Sequence, residues 1–201
     1  MSTADEHYFT ADPSVPFTRQ PVRARVWGHD LALESGSGVF AQGRVDTGTA
    51  VLLREAEPQA PDGPFLDLGC GYGVLAVALA VVRPRAEVWA VDVNERALLL
   101  TRENAAAAGT QVHAVRPEDV PEDLRFAEIW SNPPIRIGKQ ALHELLLTWL
   151  PRLAPEGRAV LVVGRNLGAD SLHRWLEEQG FPTTRTGSAK GFRVLEVRPR
   201  R

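Results

Sequence analysis

A proline-flanked asparagine offers two fixed hydrogen-bond acceptors in the run Trp130-Ser131-Asn132-Pro133-Pro134. Asn132 and Pro133 each precede a proline, which biases both residues toward extended backbone, and proline itself has a fixed φ and no N–H. The result is a stiff corner that presents the Asn132 side-chain oxygen and the Pro133 carbonyl oxygen. Two fixed acceptors match the two hydrogens of a planar exocyclic NH₂ group.

An amine held by such a corner is prepared for attack on a methyl group. Binding both hydrogens draws the nitrogen lone pair out of conjugation. Methyl transfer from a sulfonium is an in-line displacement, in which positioning carries much of the catalysis without a dedicated base. We therefore predict Asn132, Pro133 and Pro134 as catalytic residues, with a simple turn as the structural alternative. Lys139, shortly afterwards, either lines the substrate opening or begins a helix as a solvated residue.

A glycine cluster follows an apolar run in Asp67-Leu68-Gly69-Cys70-Gly71-Tyr72-Gly73. Glycine lets the backbone turn sharply and approach a ligand, and the carboxyl ends of parallel strands open onto a ligand crevice. A purely structural turn is the alternative. Asp67 favours S-adenosylmethionine, because a carboxylate repels a dinucleotide pyrophosphate but suits an ammonium and a sulfonium. We predict that Asp67, Gly69, Cys70 and Gly71 bind this cofactor, with Cys70 as a small turn residue.

Acidic residues also follow the next two predicted strands. Asp92 can accept hydrogen bonds from both hydroxyls of a ribose, or it can serve only as a capping acid ahead of the next helix. We expect Val93, beside it, to contact the same cofactor, and Asn132 to reach it as well. Glu118 and Asp119 follow the third strand, where a side chain can meet an adenine amino group or form part of a solvated acidic loop.

Alternating strands and helices position these residues. Apolar runs predict strands at residues 65–68, 87–91, 111–115, 126–131, 159–163 and 192–197. Between them, periodic apolar residues predict helices, one capped by Asn94 and ended by Gly109, and one opened by Asp170 or Ser171 and ended by Gly180. This alternation predicts an α/β fold with a parallel sheet covered on both faces.

An N-terminal region precedes this pattern. Residues 1–20 form an arm that lies on the domain or is partly disordered, alternation around 22–33 predicts a β-hairpin, and residues 46–54 predict a short helix. We expect residues 1–60 to pack on a catalytic domain of residues 61–201, so that the two form one structural unit.

Composition limits the remaining possibilities. The chain has 201 residues, a formal charge of −2 and a single cysteine, Cys70, which excludes an internal disulfide and a cysteine-based zinc cluster. Its five histidines lack metal-ligand spacing, so we expect no metal. The N-terminus does not resemble a signal peptide, and no apolar run approaches the ~20 residues that span a bilayer. We expect a cytoplasmic protein without a membrane partner.

The motifs DLGCGYG, AVDVNERA and SNPPIRIGK, in this order, resemble the methyltransferase small domain family, as do residues 38–40, 46–49 and 188–192. The resemblance implies a Rossmann-like class I methyltransferase fold, with a seven-stranded, mostly parallel sheet whose last strand is reversed. It also implies bound S-adenosyl-L-methionine, which Phe40 would shield, and N-methylation of an exocyclic amine, with guanine N2 of ribosomal RNA favoured. Ile135 stands where the family usually has a base-stacking aromatic ring, and we assign it to the substrate site.

Three other functions fit part of the pattern. The same two acceptors would serve a protein glutamine amide or a small-molecule amine. A cofactor-binding but inactive assembly or recognition module would keep the glycine cluster without using Asn132. A nicotinamide dehydrogenase is disfavoured by the carboxylate of Asp67.

Overall fold

The computed structural model describes residues 16–134 and 137–200. A two-stranded hairpin, a seven-stranded sheet and five helices make up this part of the chain. In chain order the elements are β1 (Arg19–Val26), β2 (His29–Gly36), α1 (Thr47–Glu55), β3 (Phe65–Leu68), α2 (Val74–Val82), β4 (Val88–Val91), α3 (Glu95–Ala107), β5 (His113–Val115), β6 (Phe126–Ser131), α4 (Lys139–Trp149), β7 (Leu153–Gly164), α5 (Ala169–Glu178), β8 (Thr183–Ala189) and β9 (Phe192–Val197).

The strand order of the large sheet is β5-β4-β3-β6-β7-β9-β8. Neighbouring strands from β5 to β7 are parallel, whereas β9 is antiparallel to both β7 and β8. This arrangement confirms the predicted seven-stranded, mostly parallel sheet with a reversed last strand, and β1 and β2 form the predicted hairpin. The carboxyl ends of β3 to β7 therefore lie along one edge, where ligands bind in open α/β sheets.

Two apolar layers cover the sheet because side chains along a strand alternate between its faces. In β7, Val160 and Val162 pack with the hairpin, α1, α2 and α3, while Leu161 and Val163 pack with α4 and α5. All four of these side chains are at most 1% exposed. The predicted run 159–163 thus lies in the fully buried C-terminal half of a longer strand.

The bounds of several elements differ from the sequence predictions by a few residues, as for β5, which begins at His113 rather than at residue 111. Two further details also differ. Strand β8 was not predicted from the residues, because its sequence TTRTGSA is polar and it lies at the edge of the sheet with a register shift between Arg185 and Gly187. Helix α5 has no side-chain cap from Asp170 or Ser171. It begins after Gly168, whose φ of 96° lies in the left-handed region that glycine readily adopts. The Ser171 hydroxyl donates to the Gly168 carbonyl at 3.0 Å.

A buried carboxylate joins the segment before β3 to the sheet. Glu128 Oε1 on β6 accepts from the backbone N–H groups of Gln59 and Ala60 at 2.6 and 2.7 Å. Its Oε2 accepts from Trp130 Nε1 at 2.9 Å and from Arg158 Nη2 on β7 at 3.1 Å. The segment between α1 and β3 is therefore connected to the sheet by polar contacts.

Of the helices that the structure describes, none is long and apolar enough to cross a membrane.

Candidate functional site

A cavity of about 280 Å³ lies at the edge where the parallel strands end. The segments after β3, β4, β5, β6 and β7 all contribute to its wall, and the loop before α1 closes one side. Among the predicted site residues, those lining this cavity are Phe40, Gly69, Gly71, Asp92, Val93, Asn132, Pro133 and Pro134. A smaller adjoining pocket, which shares Phe40, Gly69, Gly71 and Asn132 with the cavity, contains Asp67 and Cys70.

Other predicted residues lie elsewhere. Glu118 and Asp119 are exposed outside the lining, although their neighbour Pro117 is part of the wall, and Glu118 pairs with Arg116 at 3.5 Å. Lys139 is exposed at the first residue of α4 and also lies outside the lining. Ile135 falls outside the described residues, so its assignment to the substrate site stays a prediction.

The glycine cluster forms a tight turn between β3 and α2. The backbone N–H groups of Gly69 and Cys70 both donate to the Val91 carbonyl, at 2.8 and 3.0 Å, which joins the turn to β4. Gly69, Gly71 and Gly73 have φ values of 76°, 56° and 86°, a region that L side chains rarely adopt. The turn thereby places backbone, without intervening side chains, against the cavity.

Asp67 is a buried carboxyl group with one unused acceptor. Asp67 is only 1% exposed, and its Oδ2 accepts a hydrogen bond from the Ala76 N–H at 3.0 Å. For its Oδ1, the described residues provide no hydrogen-bond donor. Burial is the main reason that the pKa of Asp67 is raised to about 7, with the nearby Asp92 adding to the effect. An unpartnered buried acceptor of this kind suits a cationic ligand group.

Asp92 supplies a second carboxyl group at the end of β4. Its Oδ2 accepts from the Gly71 N–H at 2.9 Å and its Oδ1 from the Asn94 N–H at 3.0 Å. Burial raises its pKa above the usual value although these bonds act in the opposite direction. Asp92 lines the cavity directly, and the residue that caps α3 is Asn94 rather than Asp92.

The Asn132 side chain has a defined orientation. Its Nδ2 donates to Asp46 Oδ2 at 2.8 Å and to Thr49 Oγ1 at 3.0 Å. Because both hydrogens of the amide are bound to α1 and its cap, the oxygen is the end of the amide that the cavity can use. The position of Asp46 at the cavity was not predicted, since the sequence indicates only a helix start there and 86 residues separate it from Asn132.

The opposite part of the wall is apolar. Leu145 and Trp149 of α4, together with Leu167 and Phe192, line it. Trp149 is 3% exposed and belongs to the core, and it also forms part of the cavity wall. Leu167 is 54% exposed, which places an apolar side chain at the opening.

Positive charge lies near this opening. Arg165 directly follows Gly164 of the wall, and Lys190 lies two residues before Phe192. Both cations are exposed, and the Arg165 N–H donates to the Gly191 carbonyl at 2.8 Å, which joins the two turns. Carboxyl groups thus line the cavity, and two exposed cations lie within two residues of its wall along the chain.

Metal-ligating side chains do not gather in the part of the chain that the structure describes, since no group of three or more His, Cys, Asp or Glu residues there could hold an ion.

Comparison with known proteins identifies relatives over almost the whole chain. A family model described as methyltransferase small domain matches residues 30–196. The uncharacterized protein YbxB of Bacillus subtilis (strain 168) is 33% identical over 197 residues, covering 96% of this chain and 98% of that protein. Ribosomal RNA small subunit methyltransferase C of Pseudomonas aeruginosa (strain LESB58) is 32% identical over 195 residues, covering 94% of this chain and 57% of that enzyme.

A solved structure shares the fold. The T. thermophilus 16S rRNA N2 G1207 methyltransferase (RsmC), in complex with AdoMet and guanosine, matches with a TM-score of 0.79 at 28% identity over 94% of this chain. This likeness confirms the predicted fold class. The chain covers 52% of that enzyme and 57% of the Pseudomonas one, so it spans just over half the length of these two relatives.

Proposed function

The chain belongs to the methyltransferase small domain family, and on this premise we propose that it transfers a methyl group from S-adenosylmethionine to guanine N2 in RNA. The observation that carries the proposal is the orientation of Asn132. Its amide nitrogen is bonded to Asp46 and Thr49, so its oxygen is the group that the cavity presents to an acceptor amine.

The residues present fit this cofactor. When bound, S-adenosylmethionine supplies an electrophilic methyl group on a sulfonium, together with a cationic amine. Asp67, with an unpartnered buried oxygen, would hold the ammonium, and Asp92 would accept hydrogen bonds from the ribose hydroxyls. Gly69 and Gly71 leave room for close approach to the backbone, and Phe40, which is 44% exposed, covers the site from the loop before α1.

The acceptor would be held by the corner after β6. Asn132 Oδ1 and the Pro133 carbonyl would each bind one hydrogen of the exocyclic amine, which directs the nitrogen lone pair toward the methyl donor. Because the attack is in-line, rate enhancement comes mainly from positioning. Leu167 and Phe192 give the cavity an apolar wall, which suits a planar base.

Three features support RNA as the acceptor. The exposed cations Arg165 and Lys190 lie within two residues of the wall residues Gly164 and Phe192, where they can contact phosphates. Lys139 begins α4 shortly after the Asn-Pro-Pro corner and is also exposed. Finally, the Pseudomonas relative is named for ribosomal RNA methylation, and the solved enzyme is described with guanosine bound.

The test is transfer of tritiated methyl groups from S-adenosylmethionine to small ribosomal subunits, naked ribosomal RNA, total protein and free amines. We expect label in RNA that digests to N2-methylguanosine. Asn132→Ala is expected to bind the cofactor normally and to lose about 10²- to 10³-fold in turnover, as when one transition-state hydrogen bond is removed. Gln111→Ala, an exposed change on the opposite side of the sheet just before β5, is the matched control and should remain active.

Two results would contradict the proposal. Label confined to protein or to free amines would show that the Asn132 and Pro133 oxygens bind the amino group of a different substrate. Full activity of Asn132→Ala would show that the corner is not the acceptor site.

A further inference from the structure

We propose that Asp46 is a positioning residue that, together with Thr49, fixes the Asn132 amide with its oxygen directed at the acceptor amine. The inference rests on the proposed function for its catalytic consequence. The orientation itself is a property of the ligand-free chain and can be measured without any methyl transfer.

The contacts define the orientation completely. Asp46 Oδ2 and Thr49 Oγ1 accept the two hydrogens of Asn132 Nδ2 at 2.8 and 3.0 Å. A rotation of the amide by 180° would bring its oxygen to the position of the nitrogen, 2.8 Å from a carboxylate oxygen. Two acceptors at that distance repel, and the negative charge of Asp46 strengthens the repulsion. The carboxylate therefore selects one of the two amide orientations.

Asp46 is also fixed in place by the helix that it caps. The same Oδ2 atom accepts from the Gly48 and Thr49 N–H groups at 2.7 and 3.2 Å, so the cap of α1 positions the carboxylate toward β6. The cap and the contact with Asn132 thus use one oxygen, which connects the start of α1 to the catalytic corner.

Gly48 makes this close packing possible. A Cβ at this position would lie 3.0 Å from Asp46 Oδ2, 3.3 Å from Asn132 Nδ2 and 3.0 Å from Phe192 Cε1. A side chain at this position would force these neighbouring side chains to shift by a few tenths of an ångström. In the run 46–49, Asp46 supplies a carboxylate and Thr49 a hydroxyl to the Asn132 amide, and Gly48 has no side chain that would separate them.

The carboxylate has a second consequence for chemistry. A charged partner on the nitrogen of an amide polarises the group and makes its oxygen a stronger acceptor. During attack the acceptor amine becomes positively charged, so both the Asn132 oxygen and the nearby Asp46 charge interact more favourably with the transition state than with the ground state. The effect is expected in kcat rather than in the KM for RNA.

The experiment uses the full chain and two substitutions of Asp46 that keep a helix cap. Serine and asparagine both cap helices well, but the serine hydroxyl is one bond too short to reach Asn132, whereas asparagine retains a neutral acceptor at the same place. We expect Asp46→Ser to lower kcat by about 100-fold and Asp46→Asn by about tenfold or less. The affinity for S-adenosylmethionine and the KM for RNA should change less than about threefold.

A second pair of variants changes the other acceptor. Thr49→Val removes the hydroxyl at nearly constant volume, and Thr49→Ser retains it. We expect kcat to fall several-fold in the valine variant and to stay at the wild-type value in the serine variant. Where Asp46→Ser fails to fold, wild-type kcat and wild-type amide exchange in both Asp46→Asn and Thr49→Val would overturn the inference.

A spectroscopic readout separates this inference from the proposed function. The chain has four asparagines, so [¹⁵N]asparagine labelling gives few side-chain amide signals, and Asn132→Asp identifies one of them by its loss. Hydrogen exchange of the Asn132 amide should be slow in the wild type and in Asp46→Asn, and at least about tenfold faster in Asp46→Ser. If the wild type methylates no RNA, the proposed function fails but this measurement still stands. Equal exchange rates in all three proteins, or wild-type kcat in Asp46→Ser, would overturn the inference.

Discussion

The carboxyl groups of Asp67 and Asp92, at the ends of neighbouring strands, differ in burial and in hydrogen bonding. Asp67 is fully buried behind the glycine turn, and one of its oxygens has no donor among the described residues. Asp92 faces the cavity, and both of its oxygens accept backbone hydrogen bonds. Burial disfavours charge, so the pKa of Asp67 is raised to about 7. A bound cation would reverse this effect and favour the ionised group.

The raised pKa of Asp67 predicts that cofactor binding depends on pH. With a pKa of about 7 in the ligand-free protein, Asp67 is mostly protonated at pH 6 and must lose its proton to bind an ammonium. We expect the affinity for S-adenosylmethionine, measured by calorimetry, to be about tenfold weaker at pH 6 than at pH 8. Asp67→Asn keeps the bond to Ala76 and serves as control, since it subtracts the titration of the ligand itself.

The same profile in wild type and Asp67→Asn would show that Asp67 does not meet the cation. The sign for stability follows from the raised pKa. The contribution of Asp67 to folding is fully present below its ordinary pKa of 3.8 and is lost as the pH rises through about 7.

At the scale of elements, the turn from β3 to α2 uses its glycines for separate purposes. Gly71 has open space at its Cβ position, the nearest atom being Phe40 Cβ at 4.0 Å, and it lines the cavity. A Cβ on Gly73 would lie 2.6 Å from Thr101 Oγ1 and 2.7 Å from Thr101 Cγ2 on α3. Gly71 therefore serves ligand access, and Gly73 lets α2 pack closely on α3.

Alanine substitutions should separate these roles. Both glycines have positive φ, which costs an alanine about 1–2 kcal/mol. Gly73→Ala also overpacks against Thr101, which adds about 1–3 kcal/mol. We expect urea denaturation to give a clearly larger loss of stability for Gly73→Ala than for Gly71→Ala, while Gly71→Ala has the larger effect on cofactor affinity. Equal losses of stability would contradict this account of the turn.

For the whole molecule, polar contacts and apolar packing combine the N-terminal region with the sheet. Trp27 of the hairpin turn lies edge-on to Trp130 of β6, with ring centroids 5.6 Å apart. Glu128, which is 1% exposed, binds the backbone at residues 59 and 60 and the guanidinium of Arg158. We predict that residues 16–60 unfold together with the remainder of the chain as one structural unit.

Loss of the buried pair should therefore destabilise the whole molecule. Glu128→Gln leaves Arg158 without its buried carboxylate. It also places an amide donor against existing donors, either those of Trp130 and Arg158 or the backbone N–H groups of residues 59 and 60. We expect a loss of about 3–5 kcal/mol in the free energy of unfolding. Glu196→Gln, at the more exposed partner of Arg158, should cost less.

Thermal unfolding of Glu128→Gln followed by tryptophan fluorescence and by far-UV circular dichroism should show one coincident transition. Separate transitions would indicate that the N-terminal region and the sheet unfold independently.

Features encoded by residues close together in the sequence were predictable, whereas contacts between distant residues were not. The strand ends at Asp67, Asp92 and Asn132 were predictable because each lies in a short motif next to an apolar run. The bond between Asp46 and Asn132 was not, because it joins positions 86 residues apart. Strand β8 is polar at an exposed edge and gives no apolar signal. The placement of Pro117 rather than Glu118 or Asp119 at the wall depends on a short 3₁₀ helix after β5 that no periodicity indicates.

We infer that the acidic cavity at the strand ends binds a cationic methyl donor. Calorimetric titration of the wild type and Asp92→Ala with S-adenosylmethionine tests it most directly. We predict one ligand bound per chain in the wild type and an affinity about 10- to 100-fold weaker in Asp92→Ala, since hydrogen bonds to a charged group are lost. No heat of binding in the wild type, or equal affinity in the two proteins, would contradict the account.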